Sequence, residues 1–265
     1  MAGPSMQFRS VILAGERPGG SPLARRFDAS AGVMVPVAGK PCLERVLHAI
    51  EGSHLVGGGI VCGPAADVVR GDAYLRKLLR NPAHHWLEPA AGPAASAFAA
   101  VRKLDRYPLL LTTGDHALLT PAIVDDFCRQ AQAQRRAHIV IGLVPYERVR
   151  TAWPQSQRTV LKFADGGYCG ANLFAILSPR GSKALTFWRQ MENDRKHPLR
   201  IARHFGFGTL LRYAFGRLSL ADALRFLSEK AGCRIGHVLL DEPRAAVDVD
   251  SAADKRLAEK ILSTE

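Results

Sequence analysis

Apolar positions along this chain follow two alternating patterns, short continuous runs and longer stretches of helical spacing. Residues 10–14 read as a buried strand, and residues 42–50 as a helix with Leu43, Val46, Leu47 and Ile50 on one face. A second strand is expected at 58–62, a helix at 65–79 and a helix of small residues at 96–103. The run at 109–112 predicts another buried strand, followed by a helix from Pro121 with Thr120 as its N-cap. Residues 138–144 add a further strand. This βαβα rhythm predicts a largely parallel sheet covered by helices on both faces.

The pattern then changes. Residues 159–163 and 169–177, joined by a turn at 165–167, read as a hairpin or a bent edge of the sheet. Residues 182–230 read as helical and basic, broken at Pro198, Gly206, Gly208 and Gly216. A strand returns at 235–240 and a helix closes the pattern at 253–262. No repeat, low-complexity tract or linker divides the chain. The expected fold class is α/β: a single three-layer Rossmann-like domain over residues 1–265, with a mixed, mostly parallel sheet and a basic helical insertion at about 180–232.

With 265 residues and 47% hydrophobic composition, the chain is able to bury a substantial core. Residues 1–10 do not form a signal-peptide pattern, and no apolar segment is long enough to span a bilayer. The five cysteines are widely spaced with no CxxC pair, which argues against a disulfide framework or a zinc site and for a reduced compartment. The expected localisation is cytoplasmic. The formal charge of +12 suits nucleic acid, an anionic membrane surface or a phosphorylated substrate, and also a surface simply rich in arginine.

Three stretches carry candidate chemistry. Residues 11–26 run from a strand into a turn of glycines and arginines. Such a turn brings backbone N–H groups to an anion, with Arg25 and Arg26 supplying charge. It lacks the lysine of a P-loop and contains no GxGxxG, and an ordinary βα turn is the competing reading. In the second stretch a strand delivers Asp115 at its carboxyl end, where open α/β sheets bind ligands, and a hard oxygen there suits Mg²⁺. In the third, strand alternation puts Asp248 and Asp250 on the face opposite Val247 and Val249, so a nearby cation would offset their repulsion. Asp250 or Ser251 also suits the N-cap of the last helix. His84 and His85 are read as loop residues and Cys169 as core.

Residues 195–217 contain no acidic side chain and interleave aromatics with arginines. They fit a lid over a phosphorylated acceptor, or a surface meeting anionic lipid, which would suit a lipid-linked acceptor and a peripheral place at the inner membrane. A solvated arginine face over a Leu/Phe stripe is the plainer reading. No RNP, KH or helix-turn-helix pattern accompanies the charge, so nucleic acid is not the expected partner.

Taken together, Leu13-Ala-Gly15, Gly39-Lys-Pro41, Gly114-Asp115, Gly170-Ala-Asn172-Leu-Phe174 and Asp248-Val-Asp250 fall in one order across nearly the whole chain. In this the sequence resembles the nucleotidyltransferases of the nucleotide-diphospho-sugar transferase fold. The narrower resemblance is to molybdenum-cofactor guanylyltransferase and to the cytidylyltransferases of isoprenoid and inositol-phosphate metabolism. It implies a Mg²⁺-dependent transferase that joins a nucleoside triphosphate, CTP or GTP favoured, to a phosphorylated small-molecule acceptor and releases pyrophosphate. Carried over by position, Asp115 and Asp250 would hold Mg²⁺. Leu13, Ala14, Gly15, Glu16, Gly19, Gly20 and Gly114 would cradle the nucleotide, and Ser96 would face the base. Arg25, Arg26 and Lys162 are the expected catalytic cations.

Two positions depart from the pattern. Glu16 stands where the opening motif has its second glycine, and Gly32 where relatives carry a lysine, eight positions before Lys40. Either a neighbouring cation replaces that lysine, or the chain is a nucleotide-binding homologue of weak or no activity with a regulatory or membrane-associated role. A glycosyltransferase of the same fold is the other alternative, but residues 114–117 do not supply the DxD it normally carries.

Overall fold

The computed structural model describes residues 7–16, 19–194 and 206–264. In chain order the first elements are β1 (Phe8–Leu13), α1 (Pro22–Arg26), β2 (Pro36–Val37), β3 (Lys40–Pro41), α2 (Cys42–Glu51) and β4 (Val56–Cys62). Next come α3 (Ala66–Gly71), α4 (Ala73–Leu79), β5 (His84–Leu87), α5 (Pro93–Leu104), β6 (Leu109–Thr113) and α6 (Pro121–Ala133). The second half holds β7 (Ile139–Pro145), α7 (Tyr146–Ala152), β8 (Leu161–Phe163), β9 (Gly166–Ile176) and α8 (Ser182–Asp194). It ends with α9 (Phe207–Ala214), α10 (Leu220–Ala231), β10 (Ile235–Leu239) and α11 (Ala252–Leu262). These make one α/β domain with a mixed, mostly parallel sheet of order β10-β7-β9-β6-β1-β4-β5, with β8 added on β9.

Alternation along the strands sorts the core into two layers. Phe8 and Ile12 of β1 and Leu110 of β6 meet Leu43, Val46 and Ile50 of α2 and Phe127 of α6 on one face. Val11, Leu109 and Leu111 meet Ala97 and Val101 of α5 and Leu185 of α8 on the other. Strands β1 and β6 are parallel and in register from Arg9↔Leu109 to Leu13↔Thr113, so both finish at one edge of the sheet. That shared edge positions the site.

Four local expectations are corrected. Residues 65–79 form two helices rather than one, because Asp72 breaks the run and caps α4, its Oδ1 accepting from Leu75 N–H at 2.9 Å. Residues 84 and 85 belong to β5 rather than a loop, and His84 is buried against the sheet. The hairpin after residue 159 is present, but its long arm is no edge: β9 runs antiparallel between β6 and β7 in the middle of the sheet. Within the basic stretch Gly208 lies inside α9 instead of ending a helix, while residues 195–205, including Pro198, fall outside the described residues. Among the described residues no helix is long and apolar enough to cross a membrane.

The connection between α2 and β4 is pinned to α6 by one buried carboxylate. Asp125 accepts hydrogen bonds from the Ser53 hydroxyl, from His54 N–H at 3.1 Å and from Leu55 N–H at 3.2 Å. Asp125→Ala would leave the buried Ser53 hydroxyl and the partly buried N–H groups of His54 and Leu55 without their acceptor, so denaturant unfolding should show a loss of about 2–4 kcal/mol. A loss under about 1 kcal/mol would mean that water replaces the carboxylate there.

Candidate functional site

At the end of β1, Ala14 is buried and donates its N–H to the Cys62 carbonyl at 2.8 Å, leaving Gly15 to turn the chain outward. A side chain at Gly15 would meet Pro89, its Cβ falling 2.9 Å from that ring, so the loop after β5 closes directly on this turn. Gly19 and Gly20 both take positive φ, which glycine adopts without strain. Ser21 caps α1 by accepting from Ala24 N–H at 3.1 Å, and the Arg25 guanidinium donates to the Gly19 carbonyl at 2.8 Å. The Glu16 carboxylate accepts from the N–H of Gly32. A Cβ at position 32 would lie 3.2 Å from Glu16 Oε1 and 3.1 Å from Ser21 Oγ. The two departures from the resemblance therefore touch each other: the carboxylate of one lies where a side chain of the other would begin.

Opposite this loop, β6 ends in Thr113 and the Gly114 N–H donates to the Leu13 carbonyl at 2.8 Å, tying the two strand ends together. Asp115 follows. Its carbonyl accepts from Val249 N–H at 3.1 Å, which brings residues 248–250 alongside. That segment is extended without joining a strand ladder. Val247 and Val249 are buried as the alternation requires, Asp248 is half-buried and Asp250 exposed. Ser251, the N-cap of α11, accepts from Asp254 N–H at 3.2 Å.

The carboxyls here differ in their partners. Asp115 Oδ1 is buried with no hydrogen-bond partner, and burial followed by the nearby Asp248 and Asp250 charges raises the Asp115 pKa to about 6. Asp248 has both oxygens engaged. Arg158 donates to Oδ1 at 2.9 Å and Asn172 donates to Oδ2 at 3.2 Å. The Arg158 guanidinium, only 7% exposed, also pairs with Asp254. Asn172 holds a left-handed φ of 49°, a conformation seen in few non-glycine residues, and so turns its amide toward Asp248. Charge-assisted pairing of this kind holds Asp248 in place, while Asp115 and Asp250 also line the cleft.

These walls enclose a cleft of about 670 Å³. Its described lining carries five carboxylates, Glu16, Asp115, Glu192, Asp248 and Asp250, and no lysine, arginine or histidine. On a chain of net charge +12 the described lining of the cleft is thus locally acidic. A polyanion enters such a zone only together with cations. Mg²⁺ commonly binds through one or two carboxylates plus substrate phosphates, and the unpartnered, buried Asp115 Oδ1 beside Asp250 fits that demand. Among the described residues no three His, Cys, Asp or Glu side chains form a group that could hold a metal ion by themselves.

Of the residues expected from sequence, Leu13, Gly15, Glu16, Gly20, Ser96, Asp115 and Asp250 line this one cleft. Ala14, Gly19 and Gly114 belong to its supporting backbone. Arg25, Arg26 and Lys162 do not line it: Arg25 braces the loop through Gly19, and Lys162 stands on β8 opposite Gly167. Ser96 is buried with its hydroxyl accepting from Ala90 N–H at 2.9 Å, so it shapes the loop after β5. Arg158, Trp188 and Glu192 were not anticipated. Arg158 sits in a loop without a motif, and the other two lie in a stretch whose basic character dominated its reading.

A family model described as a MobA-like NTP transferase domain matches residues 10–233. The chain belongs to that family. It is a nucleotidyltransferase. A structure titled as a hypothetical transferase from Thermus thermophilus superposes with a TM-score of 0.76 at 28% identity, covering 94% of this chain and 100% of the other. The 4-diphosphocytidyl-2C-methyl-D-erythritol synthase of Anaerococcus prevotii gives a TM-score of 0.59 at 11% identity over 98% of this chain and 97% of that one. The 2-C-methyl-D-erythritol 4-phosphate cytidylyltransferase of Thermus thermophilus gives 0.54 at 13% identity over 96% and 98%. These last two share the fold. No curated protein gives a significant match.

The raised pKa of Asp115 has a measurable consequence. Its charged form is disfavoured in the fold, so the apo protein is destabilised above about pH 6, and the effect fades as the pH falls toward the ordinary value of 3.8. Asp115→Asn should therefore stabilise the metal-free protein at pH 8 by on the order of 1–3 kcal/mol and give almost nothing at pH 4. Thermal melts at the two pH values check this; an equal gain at both would remove the charge explanation.

Proposed function

We propose that this nucleotidyltransferase is Mg²⁺-dependent and joins CTP or GTP to a phosphorylated small-molecule acceptor, releasing pyrophosphate. The observation that carries the reading is the unpartnered Asp115 Oδ1, buried beside Asp250 and facing the glycine turn after β1 across one cleft.

In this reading the backbone at Gly15, Gly19 and Gly20, where no side chain stands, receives the triphosphate. Asp115 and Asp250 hold the cation, which would supply charge neutralisation on the reacting phosphate. Arg158 and Asn172 keep Asp248 fixed, so the carboxylates of the site cannot collapse onto one another's partners. An acceptor phosphate oxygen attacks the α-phosphorus as the bond to the β-phosphate oxygen breaks. The new phosphoanhydride forms as pyrophosphate leaves. The protein contributes alignment and a fixed electrostatic frame, the usual means of catalysis in phosphoryl-type transfer. Arg25 acts here by bracing the loop through Gly19 rather than by contact with phosphate.

Thermal shift with CTP, GTP, UTP and ATP, each with and without Mg²⁺, tests the binding half of this reading. A selective, Mg²⁺-dependent stabilisation is expected, about 2.7 kcal/mol at a ligand concentration of 100 times Kd. It should vanish in Asp115→Ala and fall strongly in Asp250→Ala. Stabilisation that survives Asp115→Ala in full would show that the nucleotide binds elsewhere.

A further inference from the structure

The cleft extends away from Asp115 along the loop after β5 to helix α8. There Trp188 and Glu192, one helical turn apart, both face into it. Trp188 stacks on Phe174, with ring centroids 6.5 Å apart and planes 24° from parallel, and this pair makes an aromatic wall. Glu192 reaches across to the start of α5, where Gly92, the N-cap, offers no side-chain cap. Its Oε2 accepts from Ala94 N–H at 3.0 Å. Its Oε1 lies over Gly92, so close that a Cβ on that residue would fall 2.3 Å away.

Polar side chains at this end are few. Among the described lining residues of the loop after β5, α5 and α8, only Ser96 and Glu192 carry one, apart from the Trp188 indole, and the Ser96 hydroxyl is buried against Ala90 N–H. If the triphosphate lies between the β1 turn and Asp115, the base of the same nucleotide lies along this wall. An aromatic face suits any base, since each has a π-face, and gives little discrimination. Discrimination falls to the carboxylate. A carboxylate has about four acceptor sites and no proton to donate at neutral pH, so one N–H from Ala94 leaves most of its capacity for a ligand.

We propose that Glu192 reads the base: its carboxylate accepts from the exocyclic amino group of a bound cytosine or guanine, and uracil, which presents carbonyl oxygen instead, is rejected. This rests on the nucleotidyltransfer reading above and adds to it the residue that sets the preference for an amino-bearing base over uracil. Acceptance of a cytosine amino group by Glu or Asp is known chemistry in nucleic-acid recognition, and an unpaired carboxylate facing a carbonyl is penalised on both sides. The N-terminus of α5 gains from the same negative charge, so one side chain serves the helix and the ligand.

Dissociation constants for CTP, GTP and UTP with Mg²⁺, measured by calorimetry on the full chain and on Glu192→Gln, test the proposal. Glutamine keeps an oxygen for Ala94 N–H, so a purely capping role predicts no change in preference. The wild type should bind its better amino-bearing nucleotide at least about tenfold more tightly than UTP. Glu192→Gln, which presents an NH₂ to a uracil carbonyl, should bring the two within about threefold. Should that variant melt early, Glu192→Asp withdraws the acceptor by one methylene and should likewise erode the preference. A wild type indifferent to UTP, or a variant that keeps full discrimination, overturns the assignment while leaving nucleotide binding intact. Absence of binding by all three nucleotides to wild type would overturn the nucleotide reading itself, and this assignment with it.

Discussion

The buried, unpartnered carboxyl oxygen of Asp115 is the constraint around which this end of the sheet is arranged. Three aspartates converge where β6 stops, and the fold tolerates them by treating each differently. Asp248 is neutralised by Arg158 and fixed by Asn172, and Asp254 shares the same guanidinium. Asp115 receives no such partner at Oδ1, and burial, with the Asp248 and Asp250 charges added and the Thr113 hydroxyl opposing, raises its pKa. The backbone link from Val249 to Asp115 makes the convergence rigid, because the last extended segment cannot retreat without breaking it.

Glu16 and Gly32 make sense as a pair more readily than alone. A glutamate in the β1 turn needs a donor, and the Gly32 amide supplies one that no side chain obstructs. A lysine at 32 would have to pass Ser21 and Glu16, each within 3.2 Å of its first carbon. The absence of basic side chains from the described cleft lining then extends the same logic. Among the described residues Arg25 and Arg158 brace a loop and a carboxylate.

Much of the fold was legible in the sequence because its parallel half is built from continuous apolar runs, which periodicity detects directly. The end of β6 in Gly-Asp and the alternation at 247–250 likewise exposed two carboxylates of the site, although the latter segment pairs with no strand. What periodicity does not carry is order across the sheet. Residues 169–177 read equally well as an edge or a centre, and only the ladders to β6 and β7 decide between them. Arg158 escaped notice because a single arginine in a loop has no spacing to betray it, and its two aspartate partners lie 90 and 96 positions away. Trp188 and Glu192 were hidden by an average: a stretch judged by net charge conceals the two residues of its first helix that line the cleft.

The central place of β9 also has a consequence for how the chain is made. Leaving the ribosome, β1, β4, β5 and β6 find neighbours among themselves, since their parallel ladders close within the first 113 residues. Strand β7 emerges later and has no seat beside them, because the place next to β6 is reserved for a strand not yet synthesised. Until residue 176 is out, β6 and β7 both present unpaired edges, the kind of surface on which nascent chains misassociate. The strand that bears Asn172 is thus also the keystone of assembly, and the edge that carries Asp115 takes its final shape only when the sheet is closed around it.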